Sequence, residues 1–268
     1  MISLPNTPKI IKREGDKAVF EIEGLYPGYG ITVGNSMRRV LLSSLEGAAI
    51  TQVKIKGVSH EFSTINGVME DVIMIMLNLK QLRFKVFTSE PQKATLKVKG
   101  EKEVKGSDFS LSSQVELENK NCHIATLTSK SADLEMEIQI EKGIGYVSRE
   151  SRRKEKLEIG AIPLDAIFTP VKRVSYRVEN MRIGERTDYD RLFLEIETDG
   201  TIKSEEAFAR ASEILVSHFS LLAGTFKITE PKPKEEAKPK KKAAPGKKKT
   251  APVKKVKHEK EKKGKKTK

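Results

Sequence analysis

The sequence predicts an α+β fold that ends in a disordered tail, and three observations carry that prediction. Segments in which apolar and polar residues alternate recur between residues 18 and 196, the period expected of strands with one buried and one wet face. Helical spacing of apolar residues appears in three places only. Beyond residue 230 both patterns stop and lysine takes over.

In chain order, the first strand sets Ala18, Phe20 and Ile22 against Val19, Glu21 and Glu23, and the glycine-rich turn Gly24-Leu-Tyr-Pro-Gly28-Tyr-Gly30 follows it. A helix is then expected over Gly34 to Leu45, with Met37, Val40, Leu41 and Ser44 on one side and Gly47 beyond its end as a stop. A strand begins near Thr51, where Val53 and Ile55 alternate with Gln52, Lys54 and Lys56. The clearest strand sets Leu134, Met136, Ile138 and Ile140 against Glu135, Glu137, Gln139 and Glu141. Between these two strands a helix is expected over Met69 to Lys80, with Val72, Ile73, Met76 and Leu77 at helical spacing. Its methionines suit adaptable packing, and a plain core helix explains the same spacing.

After Pro170 come a strand with Val174, Tyr176 and Val178 and another with Leu192, Leu194 and Ile196, joined by the polar segment Asn180 to Asp190. The last ordered element is a helix of about 19 residues. Ser204 is its expected N-cap, Glu205 and Glu206 complement its dipole, and Gly224 closes it. Phe208, Ala211, Leu215, Phe219 and Leu222 form one stripe, which Ile214 and Leu221 widen. A helix apolar on more than one side needs a partner on each; burial within its own domain and a subunit interface both meet that need.

The 268-residue chain carries a formal charge of +14. Residues 231–268 hold 18 Lys and four Glu, so the whole excess lies there; removing them from the totals of 51 basic and 37 acidic residues leaves 33 of each sign. That tail has no aromatic residue and two isolated valines, too little apolar surface to offset the entropy of ordering it. The single cysteine, Cys122, excludes an intramolecular disulfide and a CxxC metal site, as in a reducing cytosol. No stretch resembles a signal peptide or reaches the ~18 to 20 apolar residues of a membrane span; a soluble, cytoplasmic protein is expected.

Catalytic motifs are missing from the sequence. His60, His123, His218 and His258 are scattered, and His60-Glu61-Phe-Ser-Thr64 lacks the second histidine of HExxH. There is no GxSxG elbow and no phosphate loop, and Gly28-Tyr-Gly30 is not followed by the third glycine of GxGxxG because position 33 is Val33. Glu70 with Asp71, and Asp188 with Asp190, read as solvated or capping groups. No catalytic residue, metal or cofactor is expected, and a binding or structural role is favoured. Arg38 and Arg39 lie about 100° apart around their helix. Either both are solvated or at least one meets a partner, for which the guanidinium's bidentate geometry is suited. The segment Arg182-Ile-Gly-Glu-Arg186-Thr-Asp188-Tyr-Asp190 mixes both signs in a loop, a common place for recognition.

The run Leu25-Tyr-Pro-Gly-Tyr-Gly-Ile-Thr-Val-Gly-Asn-Ser-Met-Arg-Arg-Val-Leu-Leu-Ser-Ser-Leu-Glu-Gly47 closely resembles the signature of the bacterial RNA polymerase α subunit family. So do Gly57-Val-Ser-His-Glu-Phe-Ser-Thr64, Gly67-Val-Met-Glu-Asp-Val72, Leu77-Asn-Leu-Lys80, Lys142-Gly-Ile-Gly-Tyr146, Arg186-Thr-Asp-Tyr-Asp190 and Glu197-Thr-Asp-Gly-Thr201. The resemblance implies a two-part architecture: a discontinuous dimerisation domain over 1–46 and 171–228, an inserted β-rich domain over 47–170, and the disordered tail over 229–268.

It implies a homodimer whose first and last helices pack against their symmetry mates through Tyr29, Met37, Val40, Phe208, Ala211, Leu215, Phe219 and Leu222. It implies contact with the polymerase β subunit through Arg39, Leu42, His60, Glu61, Phe62, Ser63 and Thr64. Lys80, Leu164, Arg182, Arg186, Asp188 and Asp190 resemble the surface for the β′ subunit. The implied role is a scaffold that nucleates assembly of the core enzyme, which also contains ω, while nucleotidyl transfer belongs to the large subunits and needs no cofactor in this chain.

In place of the helical C-terminal domain usual in the family, the sequence has its lysine-rich tail. Residues 231–268 are expected to touch DNA or RNA phosphates without sequence preference, since clustered lysines release condensed counterions; a solubility role is the alternative. The rival to the scaffold is a free-standing, nonspecific nucleic-acid-binding protein acting through that tail. The neutral body and the lack of interleaved aromatics argue against it.

Overall fold

Strand β1 (Lys9–Glu14) is exposed along its length and turns back into β2 (Lys17–Leu25), where Ala18, Phe20 and Ile22 are buried as their alternation predicts. Helix α1 (Tyr29–Ser43), strand β3 (Glu46–Ile55) and helix α2 (Val72–Leu79) follow. Next come β4 (Phe84–Val86), β5 (Gln92–Lys99), β6 (Lys102–Lys105), β7 (Val115–Leu117) and β8 (His123–Leu127). Strands β9 (Asp133–Ile144), β10 (Tyr146–Val147), β11 (Ala161–Pro163) and β12 (Ala166–Ile167) lead to β13 (Val171–Ile183), β14 (Arg186–Thr198) and helix α3 (Ser204–Thr225). This computed structural model describes residues 2–151 and 160–225, so the expectation for 229–268 lies outside the described residues. Many strands with three α-helices among the described residues make the fold α+β.

Two four-stranded antiparallel sheets organise these elements, in the orders β1-β2-β14-β13 and β11-β3-β9-β5. In the first, Leu194 stands opposite Phe20 and Ile196 opposite Ala18, so their apolar faces coincide. Helix α1 packs on β13 and β14, α3 on β2 and β14, and the helices touch each other. Met37 and Leu41 from α1, Leu45 just beyond its end, and Ala207 and Ala211 from α3 complete that core. Full burial of Leu41 alone contributes about 1.5–3 kcal/mol. A separate core joins Val53, Ile55, Leu96, Ile138 and Ile140 of the second sheet to Val72, Ile75 and Leu79 of α2.

Several boundaries differ from the sequence expectation, each for a physical reason. Helix α1 starts at Tyr29, five residues before Gly34, because its first turn is capped from another element: the Asp190 carboxylate accepts the N–H groups of Gly28 and Gly30, each at 2.9 Å. Gly47 is no helix stop. It lies within β3, where a Cβ would stand 1.8 Å from the Phe168 carbonyl oxygen, so glycine serves the close approach of that backbone. Helix α2 begins at Val72 because Asp71 caps it, its Oδ1 accepting the Met74 N–H at 2.7 Å.

The segment Asn180 to Asp190 is no loop. Asn180 pairs with Asp190 and Met181 with Tyr189, so the ladder continues to a tight connection at Gly184 and Glu185. Its polar residues are compatible with a strand pair exposed beyond the core. Ser204 is the first residue of α3 rather than its cap, and its hydroxyl donates to the Asp16 carbonyl at 3.0 Å. Gly224 lies inside α3, which runs to Thr225.

Candidate functional site

Three exposed regions bring the candidate residues together. The first is the outward face of α1. Arg38 turns toward the sheet, its guanidinium 5.8 Å from the Tyr176 ring and in reach of Asn35 Oδ1 at 3.4 Å. Arg39 is exposed and has no side-chain partner among the described residues. Leu42, one turn on, is also exposed, so an unpaired cation and an apolar side chain share one surface.

The second region surrounds α2. Residues 60–64 lie against its start, where the Val72 N–H donates to the Ser63 carbonyl at 3.2 Å. Ser63 Oγ lies 3.2 Å from His60 Nδ1, Thr64 is exposed, and Phe62 is 76% exposed. Glu61 receives the Arg149 guanidinium at 3.0 Å, and its own backbone N–H followed by Arg149 holds its carboxyl below the usual range. The Arg149 N–H donates to Asp165 Oδ1 at 2.9 Å, and Lys80 pairs with Asp165 Oδ2 at 3.2 Å. The Arg149 N–H lowers the Asp165 pKa most; burial raises it, and Lys80 adds to the lowering, which prevails. A continuous polar chain, Glu61, Arg149, Asp165 and Lys80, therefore joins residues for which the family resemblance implies two different partners. Leu164, by contrast, is 1% exposed and lies beneath this surface.

Sequence reasoning missed the apolar face of α2. The expected stripe was Val72, Ile73, Met76 and Leu77; the structure buries Val72, Ile75 and Leu79 and exposes Ile73, Met74 and Leu77, with Met69 just before the helix also exposed. The segment VIMIMLNL is apolar nearly all round, so spacing alone does not choose which side faces in.

The third region is the end of the β13–β14 hairpin. Arg186 makes a bidentate pair with Asp188, Nε to Oδ1 at 3.0 Å and Nη2 to Oδ2 at 2.7 Å, which lowers the Asp188 pKa and raises that of Arg186. Its guanidinium lies 5.5 Å from the Tyr26 ring and 5.1 Å from Tyr189. Tyr26 in turn meets Tyr29 edge-on at 6.0 Å. Arg182 Nε donates to the Gly184 carbonyl at 2.8 Å across the turn. Asp190 belongs to the hairpin by position only: it is 6% exposed and its carboxylate points into the start of α1.

Along α3 the stripe divides. Phe208 and Leu215 are partly buried, and Ala211 is fully buried against the chain's own sheet, as is Met37 of α1; Val40 is intermediate. From Val216 to Thr225 every residue of the helix is exposed, including Phe219 at 59%, Leu221 at 71% and Leu222 at 62%.

No group of three or more His, Cys, Asp or Glu placed to hold a metal occurs among the described residues. His123 is engaged with Glu70 at 2.9 Å, and that carboxylate also takes the Thr126 N–H at 2.6 Å. Burial pushes Glu70 up, but the Thr126 and His123 hydrogen bonds outweigh it and leave the pKa lowered. Burial also pushes the Cys122 thiol up, which favours an unreactive thiol. No helix among the described residues is long and apolar enough to cross a membrane.

Among the described residues the arrangement exposes an arginine without a side-chain partner beside leucine, an apolar helix flank, an arginine held between tyrosines and an exposed helix end. Residues 53–169 match the family described as the RNA polymerase Rpb3/RpoA insert domain. The longer comparison is with proteins named DNA-directed RNA polymerase subunit alpha. That of Porphyromonas gingivalis is 48% identical over 222 residues, 82% of this chain and 67% of the relative. Those of Oceanobacillus iheyensis and Clostridium beijerinckii are 47% and 48% identical over 205 and 208 residues, covering 76% and 78% of this chain and 65% and 66% of theirs. The chain belongs to the family of DNA-directed RNA polymerase α subunits. Its matched stretch spans about two thirds of those relatives' length.

Proposed function

We propose that the chain is the homodimeric scaffold on which a DNA-directed RNA polymerase core assembles, with one copy meeting the β subunit and the other the β′ subunit. The observation that carries this reading is the second half of α3: ten consecutive exposed helical residues that include Val216, Phe219, Leu221 and Leu222. A bare helix of that length is marginal in water, and an apolar patch of this kind marks a protein contact. A second copy supplies an identical apolar surface, and two-fold pairing satisfies both at once.

In this reading the sheet β1-β2-β14-β13 with α1 and α3 forms the dimerisation domain, 1–46 with 171–228, and residues 47–170 are inserted into it. The separate hydrophobic cores support that division. Tyr29, Val40, Phe208, Leu215, Phe219 and Leu222 contribute contact area, and the buried Met37 and Ala211 hold the helices beneath them. The β subunit docks on Arg39 and Leu42 together with His60 to Thr64, extended by Met69, Met74 and Leu77 of the α2 flank. The β′ subunit docks on Lys80, Arg182, Arg186 and Asp188, with Leu164 as support. Nucleotidyl transfer stays with the large subunits. Residues 231–268, with 18 lysines, add a salt-sensitive hold on nucleic acid phosphates.

Co-expression with tagged β or tagged β′ subunit tests the reading: the chain is recovered with each, as a dimer. Recovery with neither would exclude the scaffold role. Removing 231–268 is expected to weaken DNA retention at low salt and leave the dimer intact.

A further inference from the structure

We infer that Asp190 is a positioning residue that sets α1, and with it Arg39 and Leu42, in place for the β subunit, although its position in the sequence groups it with the β′ surface. This inference rests on the scaffold reading above.

Helix α1 begins without means of its own to satisfy its first turn. Gly28 at the N-cap has no side chain and sits at φ 85, and the first turn contains no acidic residue. The unpaired N–H groups and the positive end of the helix dipole call for an anion. Asp190 supplies it from β14, its Oδ2 accepting from Gly28 and Gly30 at 2.9 Å each. The carboxylate cannot drift, because Asp190 is in register with Asn180 of β13 on one side and Leu25 of β2 on the other.

Sequence and geometry agree on how closely α1 is held. A Cβ at position 30 would stand 3.0 Å from Asp190 Oδ2 and 2.7 Å from Val178, and one at position 34 would stand 2.7 Å from Tyr176. Glycines one turn apart thus let the helix lie against β13 while the carboxylate fixes its end. Arg39 lies nine residues beyond Gly30, roughly 13.5 Å along the axis. A pivot at the first turn is therefore amplified at the docking face. Loss of the carboxylate leaves two N–H groups without acceptors and frees that pivot.

The test compares wild type, Arg39→Ala, Asp190→Asn and Asp190→Ala in the full chain. Each is co-purified separately with tagged β and tagged β′ subunit, and amide exchange is measured in the free dimer. Asp190→Ala is expected to lower β recovery at least tenfold, like Arg39→Ala, and to leave β′ recovery unchanged. Exchange in the first turn of α1 should accelerate tenfold or more while β5 and β9 keep their protection. Asp190→Asn, which keeps one oxygen acceptor and the side-chain shape, falls between and guards against a folding failure. Unchanged β recovery, or loss of β′ recovery with β intact, overturns the inference. If wild type captures neither subunit, the scaffold reading fails instead, and unaltered exchange in α1 would by itself overturn the clamp.

Discussion

Phe208 lies flat on Phe20, with ring centroids 4.8 Å apart and planes 20° from parallel. This stack is where α3 is tied to the sheet. Two turns later the helix leaves its own chain's cover, so one element is both core and protruding surface.

Replacing Phe208 with alanine should destabilise the protomer by about 2–4 kcal/mol, toward the lower end of large-to-small core changes because the ring is partly exposed. Urea denaturation followed by circular dichroism measures it, and Phe208→Leu should recover about half. A loss below ~1 kcal/mol would show that the stack does not anchor α3.

Gly47→Ala should prevent folding or lower the melting temperature severely. The new Cβ meets a backbone oxygen, Phe168 O, at 1.8 Å, and backbone cannot yield as the end of a side chain does. Expression and thermal melting check this, with Gly224→Ala as the control, since nothing lies within 4 Å of that Cβ.

Arg39→Ala should lower recovery with the β subunit at least tenfold, about 1.4 kcal/mol, and change neither dimer mass nor thermal stability. Arg39 has no partner among the described residues, so its removal leaves the fold intact. A lowered melting temperature would mean that Arg39 serves the protomer.

Acid should weaken the second sheet through Glu135, whose carboxyl is pulled from 4.5 to about 2 by hydrogen bonds from Lys97 and Lys56. A depressed folded-state pKa adds stability above the unfolded value of 4.5 that fades as pH falls toward 2. Wild type should therefore melt higher than Glu135→Gln at pH 7, with the gap narrowing below pH 4.5 and closing only as pH approaches 2. Because the group is exposed, the gap is small and shrinks with salt. A gap that widens in acid would reverse the sign of this account.

Much of the fold was legible because its cause is local. Ala18, Phe20 and Ile22 alternate and are buried, and so do Leu134, Met136, Ile138 and Ile140. What was not legible depends on residues far apart in sequence. The start of α1 depends on Asp190, about 160 positions from Gly30, and no local pattern at Gly28 announces it. The inward side of α2 is chosen by the core it meets, since Ile73 and Ile75 are the same residue type with opposite fates. Of the residues expected at contacts, Arg39, Leu42 and Phe62 are exposed, while Leu164 and Asp190 lie inside. A family motif marks a position without saying which way the side chain turns.

Sedimentation equilibrium of the full chain at micromolar concentration tests the central claim most directly, with Phe219→Glu/Leu222→Glu beside it. Wild type should have twice the 30.0 kDa chain mass, and the double variant should approach the mass of one chain with its melting curve otherwise preserved. A wild-type chain that sediments at 30.0 kDa, with the end of α3 nonetheless protected from amide exchange, would contradict the account.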